Sequence, residues 1–214
     1  GNSAIYVQDI STGARQLVSS FRGINGAPSF SPDGSRLALA LSRSGNPEIY
    51  VMDLGSRQLT QLTNHFGIDT EPTWSPDGKT IYFTSDRGGR PQIYQVSAAG
   101  GAASRVTFQG SYNATASVSW DGKKIVMAQG SGNTYRIVMM DSSLGSPRWS
   151  TLSTGSLDES PSFAPNASMV LYAAREGRRG VLYSVSADAR VRQRLVLADG
   201  DVREPSWGPY RTKR

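Results

Sequence analysis

The sequence predicts an all-β protein built from one four-stranded antiparallel unit repeated in tandem, and three observations predict it. A short box recurs at a fixed interval, each interval holds four short strand-like runs, and no segment has the apolar spacing of an amphipathic helix. The box is Pro28-Ser29-Phe30-Ser31-Pro32-Asp33-Gly34, and it returns as Pro72-Thr73-Trp74-Ser75-Pro76-Asp77-Gly78. Looser copies are Ala116-Ser117-Val118-Ser119-Trp120-Asp121-Gly122, Pro161-Ser162-Phe163-Ala164-Pro165-Asn166-Ala167 and the partial Pro205-Ser206-Trp207-Gly208-Pro209. The copies start at residues 28, 72, 116, 161 and 205, spaced by 44 or 45 residues. A repeat of roughly 40–45 residues with four strands is what one β-propeller blade requires. The expected fold is therefore a β-propeller of four-stranded antiparallel blades.

The strands follow in order within each period. Ala27–Phe30 is short and enters a Pro-Asp-Gly turn, where Pro presets the first dihedral and Gly supplies the positive φ. Leu37, Leu39 and Leu41 then alternate with Ala38 and Ala40, the two-residue period of a strand. Ser44-Gly45-Asn46-Pro47 breaks the chain, Glu48–Asp53 forms a third strand, and Gln58–Thr63 forms a fourth after Gly55-Ser56. The next copy repeats this with Thr80–Ser85, Gln92–Val96 and Ala103–Thr107. Apolar residues on both faces suit sheets stacked against neighbouring sheets.

The segment from Gly1 to Asp9 matches Gly45 to Asp53 at an offset of 44 residues, so it reads as the third strand of a blade. The expected layout is one domain over 1–214. It holds a half blade at about 1–20, whole blades at about 27–63, 71–107, 115–152 and 160–197, and a closing strand at about 204–210. A second strand for the closing blade is missing, which would leave unpaired backbone on two edges. The chain thus reads as a fragment of a propeller, the other arrangement being a five-bladed ring with an incomplete closing blade.

Composition narrows the function classes. No apolar run approaches the roughly 18–20 residues needed to cross a bilayer, so direct membrane insertion is not expected. No signal peptide is visible, because Gly1-Asn2-Ser3-Ala4 leads directly into strand-like sequence. Zero cysteines exclude disulfides and cysteine-built metal sites. The net charge of +6 comes from scattered residues, with clusters at Arg175/Arg178/Arg179, Arg190/Arg192/Arg194 and Arg211-Thr212-Lys213-Arg214. A nucleic-acid groove would show a basic stripe with interleaved aromatics, which is not found.

Catalytic patterns are also missing. No Gly-x-Ser-x-Gly elbow occurs, and the single histidine, His65, has no nucleophile at a telling spacing. One histidine cannot build a metal site without converging carboxylates. Asp33 and Asp77 of the repeated box are read as turn residues that bond nearby backbone. Trp74, Trp120 and Trp207 lie in or beside the box and are expected in the core, which leaves only Tyr112 and Phe66 as aromatics on the mouth side for a lectin-like, sugar-binding alternative.

The triplets just before each first strand carry the candidate site. They align as Asn25-Gly26-Ala27, Asp69-Thr70-Glu71, Asn113-Ala114-Thr115, Asp158-Glu159-Ser160 and Val202-Arg203-Glu204. In a propeller, equivalent loops meet at one mouth of the central channel. Asp69, Glu71, Asp158, Glu159 and Glu204 would make that mouth locally acidic on an otherwise basic chain. Such a mouth would receive basic side chains of a partner, or a cation such as calcium in the channel; otherwise the side chains cap turns.

Longer runs carry a resemblance. Asn25 through Gly34, Thr70-Glu71-Pro72-Thr73-Trp74, Phe83-Thr84-Ser85-Asp86-Arg87 and Tyr50-Val51-Met52-Asp53-Leu54 closely resemble the TolB family. So do Gly89-Arg90-Pro91-Gln92-Ile93-Tyr94 and Glu204-Pro205-Ser206-Trp207-Gly208-Pro209-Tyr210. The resemblance covers essentially the whole chain and implies a fragment of a six-bladed propeller that follows an N-terminal α/β domain. It implies a periplasmic, non-enzymatic component of the Tol–Pal system, serving outer-membrane integrity and cell division, with no cofactor. The implied partners are Pal, the peptidoglycan-associated lipoprotein, at the channel mouth; colicins at the same surface; and TolA through an N-terminal region not in this sequence. Carried over, the Pal-facing positions are Ile24, Asn25, Ala27, Asp69, Thr70 and Glu71. Asn113, Thr115, Asp158, Glu159 and Glu204 follow by repeat position. Family members often carry His where Ile24 stands. TolB-like blades also gate prolyl-oligopeptidase-type serine hydrolases, the alternative role, which requires a catalytic domain outside this sequence.

Overall fold

Each blade begins with a turn that the sequence box dictates atom by atom. The Ser31 hydroxyl donates to Asp33 Oδ1 at 2.5 Å and accepts the Arg36 N–H at 2.9 Å. Gly34 takes φ of 72° and its N–H reaches the Ser31 carbonyl at 2.8 Å. The same arrangement recurs at Ser75/Asp77/Thr80 and at Ser119/Asp121/Lys124. In the fourth copy Ala164 has no hydroxyl, and Asn166 instead accepts from the backbone and hydroxyl of Ser168. Hydrogen bonding from Ser31, then Ser35, holds the Asp33 carboxyl down at about 2.

The computed structural model describes residues 3–196 and 200–208. Gly1, Asn2, Leu197 at the expected end of the fourth blade, Pro209, Tyr210 and the basic run 211–214 lie outside them. No helix occurs among the described residues. The chain divides into two compact units, Gly1–Val106 and Thr107–Arg214.

The first unit opens with β1 (Ile5–Gln8) and β2 (Arg15–Ser19), a two-stranded antiparallel sheet. Its first whole blade is β3 (Asn25–Phe30), β4 (Arg36–Leu41), β5 (Glu48–Asp53) and β6 (Leu59–Gln61), hydrogen-bonded in that order. The second is β7 (Asp69–Trp74), β8 (Thr80–Ser85), β9 (Gln92–Ser97) and β10 (Ser104–Arg105). The alternation in β4 sorts its side chains between two cores. Leu37, Leu39 and Leu41 pack with Ile5, Tyr50 and Met52, while Ala38 packs with Ile49, Val51, Trp74, Ile81 and Phe83. Trp74 also donates its Nε1–H to the Ser29 carbonyl at 3.0 Å, tying β7 to the first strand of the preceding blade.

The second unit repeats the plan. Its blades are β11 (Tyr112–Val118), β12 (Lys124–Ser131), β13 (Thr134–Asp141) and β14 (Arg148–Thr151), then β15 (Glu159–Phe163), β16 (Met169–Glu176), β17 (Arg179–Ser186) and β18 (Arg192–Leu195). Val126, Ile137, Met139 and Leu152 of the first meet Phe163, Val170, Tyr172 and Val185 of the second in one core.

Three expectations need correction. The described part of the closing segment, 204–208, is not strand, and among the described residues it is paired with no strand in a ladder. Its Trp207 N–H does bond the Ser162 hydroxyl at 3.1 Å, as the Phe163 N–H bonds Ser117 one repeat earlier. Trp207 is 39% exposed, and Trp120 is 65% exposed because it takes the turn position that Pro32 and Pro76 hold elsewhere. Of the three tryptophans expected in the core, only Trp74 is buried.

Two measurements check this account. Phe83→Ala should lower unfolding free energy by about 3–5 kcal/mol in denaturant titration, since the ring is fully buried. The folded pKa of Asp33 lies below its ordinary 3.8, so its contribution is complete above that value and is lost as pH falls through about 2. The stability difference between the parent and Asp33→Ala should therefore close on acidification from about pH 5 to about pH 2, read by urea unfolding.

Candidate binding loops

The first strand of every blade carries the same distortion. In β3, Gly26 opposes Ala40 and Ser29 opposes Ala38, so the strand holds one residue more than its partner. The same step separates Thr70 from Thr73, Ala114 from Ser117 and Glu159 from Ser162. Such a β-bulge bends the strand and re-aims its side chains. The extra residue takes a left-handed backbone each time: Ala27 at φ 47°, Glu71 at 53°, Thr115 at 55° and Ser160 at 53°, with Glu204 at 48° in the last copy. Proline follows at Pro28, Pro72, Pro161 and Pro205, a residue with no N–H to offer a ladder, which suits a bulge. Strain repeated at one structural position is characteristic of binding sites.

The bulge divides each sequence triplet by role. The first positions are buried and hold the preceding loop. Asn25 accepts from Ser19 Oγ at 2.6 Å and the Phe21 N–H at 2.9 Å, and donates to the Phe21 carbonyl. Asn113 donates to the Gln109 carbonyl at 2.8 Å and accepts from Gln129 at 3.0 Å. Asp69 is fully buried and pairs with Arg87 at 2.5 Å, whose guanidinium also lies 5.1 Å from the Tyr94 ring. Asp158 accepts the Gly155 N–H at 3.0 Å. Burial pushes its carboxyl up, against the opposing pull of Ser153, Gly155, Arg192 and Arg136.

The sequence offers Asn25, Asp69, Asn113 and Asp158 as groups a partner would touch, but the structure seals all four inside, where an unpaired polar group would be costly. The acidic surface is correspondingly smaller than expected. Glu159 and Glu204 are exposed, Glu71 is half-buried and accepts the Thr84 hydroxyl at 2.7 Å, and Thr70 is half-buried. Among the described residues no three His, Cys, Asp or Glu side chains gather to hold a metal ion.

An apolar position precedes each buried lock; the sequence offered Ile24 and Tyr112 at it but not Ile68 and Leu157. Residues 24, 68 and 157 occupy one repeat position, and Ile24, Ile68 and Leu157 are 51%, 48% and 40% exposed. Tyr112 holds that position in the third blade, half-buried and edge-on to Tyr135 at 5.3 Å. Phe66 and Phe108 stand exposed in the same connecting loops. The signal was present as an aligned apolar column inside otherwise polar, glycine-rich loops. In the first unit β3 and β7 are neighbours, which brings Ile24, Ala27, Ile68, Thr70 and Glu71 to the same strand ends. The arginines of the last blade are largely occupied locally: Arg194 with Glu176 at 3.2 Å, Arg190 with Asp188 at 3.7 Å and Arg179 with the Gly200 carbonyl.

Comparison with known proteins places this geometry. Residues 1–211 match the family described as the TolB beta propeller domain. The chain belongs to the TolB propeller family. It is 88% identical over 212 residues to the Tol-Pal system protein TolB of Xanthomonas oryzae pv. oryzae, covering 99% of this chain and 48% of that protein. The chain thus spans about half the length of the curated relatives it matches. The crystal structure of TolB from Acinetobacter baumannii superposes with a TM-score of 0.89 at 51% identity, covering 98% of this chain and 52% of that one. Prolyl endopeptidases share the fold alone, at 16% identity and a TM-score of 0.60, over 92% of this chain and 33% of theirs.

The bulge is directly testable. Ala27→Gly should raise stability by up to about 1 kcal/mol by relieving the left-handed backbone, whereas Ala27→Val should lower it by about 1–2 kcal/mol. Thermal unfolding of the pair reads both signs.

Proposed function

We propose that this chain is a non-catalytic binding module of the Tol–Pal system in the periplasm, docking Pal on the bulged first strands and the loops before them. The observation that carries the reading is the repeated left-handed bulge, which offers Thr70, Glu71 and Ala27 beside exposed Ile24 and Ile68 on a rigid scaffold. An apolar centre with polar neighbours is the usual anatomy of a protein interface. The buried Asn25 and Asp69 serve this surface by fixing its loops, and Thr115, Glu159 and Glu204 extend the same positions to the other repeats. Membership in the Tol–Pal family supports Pal as partner, colicins as competitors for the same loops and TolA as a partner of the half of the relatives that this chain does not span. Through Pal the module supports outer-membrane integrity and cell division.

Replacing Thr70 with Arg, or Glu71 with Lys, should weaken Pal binding by about 1–3 kcal/mol, the size of a central contact. Titration calorimetry against purified Pal measures this, with circular dichroism confirming an unchanged fold. Parent-like affinity in both variants would place the contact elsewhere.

A further inference from the structure

Two buried carboxyls and one partly covered guanidinium meet in the first unit. Glu48 and Asp69 have no exposed surface, and Arg87 reaches Asp69 Oδ2 at 2.5 Å. The Glu48 oxygens accept the Thr63 hydroxyl and the His65 N–H, each at 2.6 Å. Asp69 is docked beside Glu48 by its own N–H, which bonds the Pro47 carbonyl at 3.0 Å. Its second oxygen, Oδ1, is buried and has no hydrogen-bond partner. With both acids ionised, Arg87 would cancel only one of two adjacent buried negative charges, a costly arrangement.

We propose that Glu48 carries a proton in the folded protein and donates it to Asp69 Oδ1, closing a clasp that holds the loop between β6 and β7. One added proton removes the surplus charge and fills the orphaned acceptor at once. The neighbouring charged and titratable groups are Arg87, committed to Asp69; Asp86, whose Oδ1 accepts the Ile68 N–H at 2.7 Å; and Glu71, engaged by Thr84. His65 Nδ1 accepts the Gly67 N–H at 3.0 Å, while the His65 backbone N–H is the donor to Glu48. Burial pushes the Glu48 carboxyl up, with the charge of Asp69 adding to it and Thr63 and His65 opposing. The loop so held carries exposed Phe66 and Ile68 and leads into the Glu71 bulge.

Because the folded pKa is raised, the clasp contributes fully below the ordinary carboxyl value of 4.5 and is lost as pH rises through the raised value. The test uses the 214-residue chain with ¹³C-labelled glutamate, following the Glu48 carboxyl by NMR while urea unfolding is recorded from about pH 4 to about pH 9. The expected result is titration of Glu48 above 4.5, with the urea midpoint falling in the same range. Glu48→Gln, which keeps a donor for Asp69, should abolish that fall, and Glu48→Ala should destabilise at the acid end, where the clasp is closed, by an amount that shrinks as pH rises. Titration at or below 4.5 overturns the proposal even if a variant fails to fold. A Gln variant as unstable as the Ala variant overturns it too. So does a calcium-dependent midpoint shift in the parent that Glu48→Gln removes, because a cation would then fill the proton's place.

Discussion

The governing constraint is that a blade such as β3–β6 is apolar on both faces and is covered by sheet on each side. In β4 the leucines serve one core and Ala38 the other, so a single strand belongs to two packing layers. Burial of apolar area supplies the driving force, and neither face can be left wet without losing it. Repeat architectures follow from this condition, since one unit cannot complete its own core.

Stacking sheets this way leaves the connections between blades with a polar problem. Each loop from a fourth strand to the next first strand must dive beside buried strand ends, and its N–H and carbonyl groups need partners there. Asn25, Asp69, Asn113 and Asp158 answer that need from one repeat position, the amides by direct bonding and the acids with help from Arg87 or from Ser153 and Gly155. With the loops fixed from below, the bulge immediately after each lock can hold a left-handed residue that would otherwise relax. A stable scaffold thereby maintains a strained, repeated surface feature. That combination suits a surface made for recognition.

The blade period, the turn chemistry of Ser31-Pro32-Asp33-Gly34 and the two-sided strands were legible because each depends on residues close in sequence. The structure returns them with the expected bonds. The candidate loops were legible as places but not as contacts. An Asp at a repeat position reads the same whether it faces solvent or an internal arginine, and only the fold brings Arg87 onto Asp69 across 18 residues. Trp120 misled for a related reason, since its aromatic character says core while its turn position points it outward.

By itself, then, the sequence determined the repeating unit, its turns and the alternation that makes both faces apolar, all consequences of short-range stereochemistry and periodic hydrophobicity. Tertiary structure alone decided which polar residues are sealed inside, where the backbone is forced left-handed, and which carboxyl is left with an unanswered oxygen. Those outcomes depend on the local dielectric and on partners from distant strands, which come into being only once the sheets have stacked.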